Sequence, residues 1–339
     1  MAKQESTEAM LWLKERNGVR CSACARMCFI SKGKRGYCSL RENENNNLRI
    51  LNYGKIQNTG LEPVEKIPLF HFYPASTAFS ISSPGDNFSQ DVSKVFKDKD
   101  QRLVRGDDYT PERIVKLAED KKSTSIVYDG TEPFMFFEFA FKTAKLAHRN
   151  NIKNIFVTNG YTTGEAVKKI AKFIDAVVVN LKASVDPQFY QKFMDVKDTA
   201  SLFAALKQMK KQRLHIEITN LIIPQIGDSI EQCRKLSQWI TNELGSEIPF
   251  HIQQFYPDDK FMELPPTPVA TLEKCIEESH RTGLRYVYIG NVPNHDSENT
   301  YCYNCRELLI KREGFSVKKN NLLKDRCPNC GLSMHIIVD

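Results

Sequence analysis

Residues 124–158 read TSIVYDGTEPFMFFEFAFKTAKLAHRNNIKNIFVT, and this stretch decides the fold. A short apolar run at 124–128 precedes a segment at 134–149 with helical periodicity, and a second apolar run follows at 154–158. The apolar face of the helical segment consists of Phe137, Ala140, Ala144 and Ala147. A strand, a helix of this length and a second strand predict a parallel βαβ crossover.

The same alternation continues on both sides of this unit. Further strands are predicted at 78–82, 176–181, 215–222, 249–253 and 286–289. Further helices are predicted at 165–173, 203–211, 230–244 and 269–282, and one more begins at 110–111 with Thr as N-cap and Pro in the first turn. The fold class is therefore α/β, as a full or partial (β/α) barrel, with an open doubly wound sheet as the alternative. No GxGxxG follows a strand, so a dinucleotide-binding fold has no positive support.

In either architecture, functional side chains are expected at the carboxyl ends of the strands. The segments at these ends are GDNF (85–88), DGTEP (129–133), TNG (158–160), NLK (180–182), TN (219–220), QQ (253–254) and GN (290–291). Turns and helix caps explain most of the Gly, Asn, Asp and Thr there. Glu132 and Lys182 are stronger candidates, because a turn needs neither a Glu nor a Lys.

Eight of the ten cysteines form two clusters, one near each end. The C-terminal cluster is two CxxC pairs, Cys302, Cys305, Cys327 and Cys330. This spacing predicts a tetrahedral four-sulfur zinc site with a β-hairpin between the pairs, a zinc ribbon. A segment of about forty residues needs such a metal to fold firmly.

The N-terminal cluster is Cys21, Cys24, Cys28 and Cys38. Zinc is the leading interpretation and an iron–sulfur cluster the alternative, because four thiolates ligate both and the spacing does not decide. Both sites are expected to be structural. Cys233 and Cys275 stand alone in predicted helices and are expected to be buried apolar residues.

The chain of 339 residues carries a net charge of +7, and the excess lies in the two cysteine-bearing ends. Such ends suggest a polyanionic partner such as RNA or a ribosomal surface, while solvated faces are the plain alternative. The candidate phosphate contacts are Lys32, Lys34, Arg35, Lys311, Arg312, Lys318 and Lys319. No apolar run is long enough to span a membrane and no secretory signal is present, so a cytoplasmic location is expected.

An ordered set of motifs spans nearly the whole chain. It comprises CSACARMC, KRGYC, NYGK, EPVEKIPLFHFYP, TEP, VTNGY, VVVNLK, EITNLIIP, ELPPTPV, LRYVYIGNVPNH, ENTYCYNC and CPNC. With this set the chain resembles the radical SAM enzyme of the AmmeMemoRadiSam system, a relative of pyruvate formate-lyase activating enzymes. The resemblance implies a partial (β/α)6, TIM-like barrel. We predict three parts: residues 1–60 with a short helix and the N-terminal four-cysteine module, the barrel at 61–297, and the zinc ribbon at 298–339.

The chain departs from this family at the motif that defines its chemistry. Active members carry CxxxCxxC after the first barrel strand, where three thiolates hold a [4Fe–4S] cluster that binds S-adenosylmethionine. In this chain those positions fall on Asp86, Gln90 and Ser93, and oxygen donors are poor replacements for sulfur on such a cluster. The resemblance therefore implies no [4Fe–4S] cluster at the barrel site.

Other positions that the resemblance assigns to S-adenosylmethionine are kept in part: Glu132, Asn159, Asn180 and Lys182, with Asn180 replacing an Asp. We predict a pseudoenzyme that acts by binding, to RNA or a ribosomal surface through its basic ends or to protein partners. The alternative is an enzyme that binds S-adenosylmethionine or a nucleotide at Glu132, Asn159 and Lys182. It would use polar chemistry, with Asp86 as acid or base, or a relocated cluster in the N-terminal module.

Overall fold

The structure, a computed structural model, describes residues 7–88, 104–257 and 261–338. No helix in these ranges combines the length and apolarity that crossing a membrane requires. The chain forms two compact units. Unit one consists of Met1–Glu62, Ala78–Val177 and Phe193–Leu214, and unit two of Pro63–Thr77, Val178–Lys192 and His215–Asp339. The three-part division at residues 60 and 297 stays a prediction.

The N-terminal part of unit one is built from short strands. They are β1 (Thr7–Glu8), β2 (Trp12–Glu15), β3 (Gly18–Cys21), β4 (Phe29–Ser31), β5 (Arg41–Glu44), β6 (Asn47–Ile50), β7 (Lys55–Ile56) and β8 (Asn58–Pro63). They form the antiparallel sheets β2-β3-β4 and β1-β6-β5. The predicted short helix is wrong for residues 7–60, which contain none. The Asn17-Gly18 pair favours a hairpin, and β2 turns into β3 across only two residues, Arg16 and Asn17.

The predicted alternation of strands and helices follows. Its elements are β9 (Thr77–Ser82), β10 (Asp107–Asp108), α1 (Pro111–Asp120), β11 (Ser125–Tyr128), α2 (Phe137–Arg149), β12 (Lys153–Thr158), α3 (Gly164–Ile170), β13 (Ala176–Lys182), α4 (Pro187–Met194) and α5 (Ala200–Lys211). In unit one the sheet order is β12-β11-β9-β8, with β11 parallel to β9 and β12. The predicted apolar face of α2 is fully buried, and the hydroxyl of Thr110 caps α1 as expected.

Unit two contains the remaining strands of the alternation and two helices. In chain order these elements are β14 (His215–Ile222), α6 (Ile230–Glu243), β15 (Phe250–Gln254), α7 (Val269–Arg281) and β16 (Val287–Gly290). The order is β16-β15-β14-β13, and β15 runs parallel to β14 and β16. Cys233 and Cys275 are fully buried in α6 and α7, as predicted. The parallel α/β class is confirmed.

The C-terminal tail of unit two is the predicted hairpin. It comprises β17 (Thr300–Tyr301), β18 (Leu308–Glu313) and β19 (Ser316–Asn320), which pair antiparallel in the order β17-β18-β19. The tail binds the segment that follows β8, because the amide of Ile337 donates to the carbonyl of His71 and the amide of Tyr73 donates to the carbonyl of Ile337.

A buried charge holds the same segment from the sheet side. Glu217 accepts the amides of Phe70 and His71 at 3.0 and 2.7 Å. It also bonds the rings of His215 and His251. Burial raises the pKa of Glu217, but the hydrogen bonds from the two histidines outweigh burial and hold it below its ordinary value. Glu217 and His251 lie near the amino ends of β14 and β15, so this cluster stabilises the fold and is no candidate active site.

Candidate functional site

The loop after β9 lies at the carboxyl end of the unit-one sheet and packs tightly against the N-terminal module. Gly85 has a φ of +140°, and a Cβ there would meet side-chain atoms of Leu40 at 2.2 Å and Met135 at 2.9 Å. A glycine is therefore required by both the backbone conformation and the close approach. The loop cannot move outward without disturbing Leu40, which directly precedes β5.

Asp86 is the residue that the sequence resemblance assigns to the first of the three thiolate positions. Its Oδ1 accepts the backbone amide of Phe88 at 2.9 Å, which makes a local turn. The other two positions, Gln90 and Ser93, lie outside the described residues. A carboxylate engaged with its own backbone does not fit an iron of a [4Fe–4S] cluster, which takes thiolates.

Glu132 follows β11 and is enclosed by its own unit. Its carboxylate accepts the hydroxyl of Thr158 at 2.9 and 3.0 Å, the amide of Asn159 at 2.8 Å and the amide of Phe134 at 3.2 Å. Only 4% of the residue is exposed. Burial raises the pKa of Glu132 to about 8, although these hydrogen bonds act to lower it. The carboxyl group thus joins two strand ends and presents no free oxygen to a ligand.

Asn159 joins the β12 end to the β9 loop. Its Nδ2 donates to Asn87 Oδ1 at 2.7 Å, and its Oδ1 accepts the amide of Tyr161 at 2.9 Å. Asn87 is fully buried and donates in turn to the carbonyl of Tyr161 at 2.8 Å. The structure therefore brings Glu132 and Asn159 together with the Gly85–Asn87 loop, in a network with its own partners.

Arg26 extends this network into the N-terminal module, a role that sequence reasoning missed. Its Nε donates to the carbonyl of Asn87 and its Nη2 to the carbonyl of Met194. The guanidinium lies 3.5 Å from the ring centroid of Tyr37, a cation–π contact. An arginine between Cys24 and Cys28 was the available sequence signal, since a zinc knuckle does not itself need one.

Asn180 and Lys182 lie in unit two. The Asn180 Oδ1 accepts the hydroxyl of Thr219 at 2.8 Å, so this amide also has an internal partner. The backbone amide of Lys182 donates to the hydroxyl of Tyr190 at 3.2 Å. That these two residues share a pocket with Glu132 and Asn159 stays a prediction.

The C-terminal thiols form a compact site. The four sulfur atoms of Cys302, Cys305, Cys327 and Cys330 all lie within 4.8 Å of one another. Two of the sulfur pairs are 3.6 Å apart. Zinc binds thiolates at about 2.3 Å, which places the sulfurs of a tetrahedral site about 3.8 Å apart. This group therefore fits one tetrahedral metal ion, as predicted for the ribbon.

The N-terminal thiols share one cavity. Cys21 and Cys24 are buried, Cys28 and Cys38 are partly exposed, and all four line the cavity together with Arg41. Burial raises the pKa of the Cys24 thiol, and it raises the pKa of Cys38 to about 11. These thiols are therefore stable as thiolates only with a cation to bind.

The basic candidates differ in their exposure. Lys32, Lys34, Lys311, Lys318 and Lys319 are exposed, as is Arg35, which also pairs with Glu42 at 2.9 Å. Arg312 is a correction, because it is only 1% exposed. Its guanidinium donates to the hydroxyl of Thr300 at 2.7 Å and to the carbonyl of Phe70 at 3.0 Å, so it anchors the ribbon and is closed to phosphates.

Comparison with known proteins identifies the superfamily to which this fold belongs. The model of the radical SAM superfamily matches residues 88–240. The chain is 38% identical over 340 residues to the uncharacterized protein MJ0808 of Methanocaldococcus jannaschii, covering 98% of this chain and 99% of that protein. It is 22% identical over 129 residues to the (2S)-3-sulfopropanediol dehydratase activating enzyme of Klebsiella oxytoca, covering 38% of this chain and 40% of the enzyme.

Among solved structures, one similar fold is a radical SAM methyltransferase from Sphaerobacter thermophilus. The TM-score is 0.51 at 16% identity, over 66% of this chain and 68% of the methyltransferase. At this identity the likeness concerns the fold alone. Both the fold and the superfamily are therefore consistent with a functional site at the carboxyl ends of the strands.

Proposed function

We propose that this chain works by binding and does not cleave S-adenosylmethionine. The chain belongs to the radical SAM superfamily and to the same family as the Methanocaldococcus jannaschii protein MJ0808. It is then a degenerate member of the group resembled at the sequence level, the radical SAM enzymes of the AmmeMemoRadiSam system. The observation that carries the proposal is Asp86, which stands at a cluster-ligand position and is engaged with the Phe88 amide. The family's radical step needs thiolate-bound iron there, and an oxygen donor does not supply it.

The polar groups around this loop support the same proposal. In the resembled family an acidic residue at the TEP turn contacts the amino group of S-adenosylmethionine. Here both oxygens of Glu132 accept hydrogen bonds from the protein itself. An incoming ammonium group would have to displace the Thr158 hydroxyl or the Asn159 amide from a buried carboxyl, at a cost of about 1–3 kcal/mol for each group left unpaired.

We expect the purified, anaerobically reconstituted protein to form no 5′-deoxyadenosine from S-adenosylmethionine under strong reduction. Calorimetry with the same compound is expected to show no saturable heat. Glu132→Gln is the matched variant, because it keeps the size of the side chain and replaces the carboxyl group with an amide that cannot ionise. Turnover or binding in the wild type that this variant abolishes would refute the proposal, whatever the iron content of the protein.

The binding partner that we propose is RNA, met by the hairpin of the zinc ribbon. Phe315 lies at the tip between β18 and β19 and is 54% exposed. Lys311, Lys318 and Lys319 are exposed on the same two strands. Lysines attract phosphates, and an exposed aromatic ring offers a stacking face to unpaired bases. Glu313 pairs with Lys311 and Lys318 at 3.5 and 3.8 Å, so Lys319 is the cation with most freedom for a phosphate.

We expect affinity for single-stranded RNA to fall as salt rises from about 50 to 200 mM. Replacing Lys318 and Lys319 by Gln should flatten the log–log salt dependence by about 0.7 for each phosphate that the protein no longer neutralises. Phe315→Ala should weaken binding by about 1–3 kcal/mol without changing the slope. Lys274→Gln, on an exposed position of α7, is the control. Equal slopes for the double variant and this control would rule out the hairpin as the RNA-binding surface.

A further inference from the structure

We infer that the sheet β2-β3-β4 of the N-terminal module is a second contact surface for single-stranded RNA, on which a base stacks against Phe29. This inference deepens the proposed function and rests on it for the identity of the polymer. The surface uses other residues than the ribbon hairpin, and all of them belong to unit one.

The exposed face of this sheet carries a row of side chains that are in register across its three strands. Leu13 of β2 lies opposite Arg20 of β3, and Arg20 lies opposite Phe29 of β4. Directly opposed residues have Cβ atoms about 4.5–5.5 Å apart. Leu13 is 62% exposed and Phe29 is 45% exposed. Two large apolar side chains therefore face solvent on either side of an arginine.

The neighbours of the Phe29 ring hold it in place. A Cβ at Gly18 would meet Phe29 Cζ at 2.9 Å, so the ring fills the space that a side chain would take there. The Arg20 guanidinium carbon lies 5.6 Å from the ring centroid. Arg20 is itself fixed, because it donates to both carboxylate oxygens of Glu15 and, at 2.8 Å, to the carbonyl of Met27. A ring held in this way can stack on a base with little further loss of conformational entropy.

Two exposed cations lie at one end of the same sheet. Gly18 and Ser31 are the last residues that β3 and β4 pair at this end, and Lys32 follows Ser31 directly. Arg16 lies in the turn from β2 to β3, at the same end. Both cations are exposed, and neither pairs with a carboxylate in the part of the chain that the structure describes. They are therefore open to phosphates on either side of a stacked base.

The charge and the apolar row together favour an unpaired nucleic-acid strand as the occupant. Cations attract its phosphates, and an exposed aromatic ring stacks on its bases without regard to sequence. A double helix has no free base faces and would leave Leu13 and Phe29 in water. Glu15 lies on the same face, but Arg20 neutralises its charge, so it does not repel a phosphate.

The test uses the full chain with its hairpin disabled by Phe315→Ala, Lys318→Gln and Lys319→Gln. The probe is a labelled oligouridylate of about eight nucleotides, a length within the usual range of such sites. We expect this protein to bind the probe still, with an affinity that falls as salt rises. Oligothymidylate of the same length is the second probe, and tighter binding of the DNA would overturn the assignment to RNA.

Substitutions in the N-terminal sheet are then added to the hairpin-disabled chain. Phe29→Ala should weaken binding by about 5- to 150-fold, the usual effect of losing one stacked base, and Phe29→Tyr should restore it. Arg16→Gln with Lys32→Gln should flatten the log–log salt dependence by about 0.7 for each phosphate that is no longer neutralised. Leu61→Ala is the matched control, because Leu61 is also 45% exposed but lies in β8.

Ultraviolet crosslinking of the oligouridylate to the same hairpin-disabled protein would locate the contact. After digestion with trypsin, we expect the crosslink in the peptide 27–32, which contains Phe29 and ends at Lys32. The crosslink needs no substitution in the sheet, so it decides the matter even if Phe29→Ala does not fold.

The outcomes separate this inference from the proposed function. If the hairpin-disabled protein binds no RNA, or binds it equally with Phe29→Ala and Leu61→Ala, the inference is wrong and the hairpin remains the proposed surface. If the hairpin substitutions change nothing and those at Phe29, Arg16 and Lys32 abolish binding, the N-terminal surface stands and the hairpin is wrong. A wild-type protein without affinity for RNA would refute both.

Discussion

Cys305→Ser, or treatment with a strong chelator of zinc, is expected to unfold residues 300–338. The tail has a small core of its own, made of Cys302, Leu309, Ile310, Cys327, Met334 and Ile336. Two of these six residues, Cys302 and Cys327, belong to the group of thiols that fits a metal ion, so we expect the core to come apart when such an ion is removed. Zinc contributes about 10–16 kcal/mol of apparent binding free energy in small zinc domains, which exceeds what a core of this size provides.

The effect should extend beyond the tail within unit two. Two hydrogen bonds join the tail to the rest of unit two. The amide of Ile337 donates to the carbonyl of His71, and the hydroxyl of Tyr286 donates to the carbonyl of Met334. Arg312 donates to the carbonyl of Phe70 at 3.0 Å from β18. When the tail unfolds, these hydrogen bonds break together, so the segment at 70–73 should also lose protection.

Hydrogen exchange measured by mass spectrometry would locate the change. We expect fast exchange at 300–338, intermediate exchange at 70–73 and unchanged exchange at β11 and β12 of unit one. Cys233→Ala is the matched control, because it removes a buried thiol that belongs to no metal group. Protection of the tail that is the same with and without metal would show that its core folds unaided.

The fold could be predicted from the sequence because its determinants are local and periodic. The valines of 176–179 in β13 and the apolar face of α2 report burial directly, whatever the rest of the chain does. The cysteine spacing of the ribbon is equally local, since each CxxC turn presents two sulfurs to one ion. The N-terminal strands were missed because they are only two to six residues long, and strands this short show little of the alternating pattern.

The candidate site was less predictable, because its chemistry depends on which groups meet across long sequence distances. Glu132 was singled out from the sequence as an unusual residue at a strand end, and in the structure its partners Thr158 and Asn159 take up the carboxyl group. Arg312 counted as a surface charge until its contacts with Thr300 and Phe70 placed it inside. A charge count cannot separate a buried anchor from an exposed cation.

Glu138→Gln is expected to destabilise unit one by about 3–5 kcal/mol. Arg41 and Glu138 are each 1% exposed as side chains, and their closest atoms are 2.9 Å apart. Removing one member of a buried pair leaves the other charge without compensation, which costs about this amount. Glu138 also accepts the amide of Met10 at 2.7 Å, so the variant loosens the start of the N-terminal module as well.

Glu15→Gln is the matched control in the same module. Glu15 pairs with Arg20, but both side chains are about one third exposed, so water and salt replace the pair with little loss. Urea unfolding of both variants, followed by the midpoint and slope of the transition, would measure the difference. A Glu138→Gln protein as stable as Glu15→Gln would mean that Arg41 does not depend on this carboxylate.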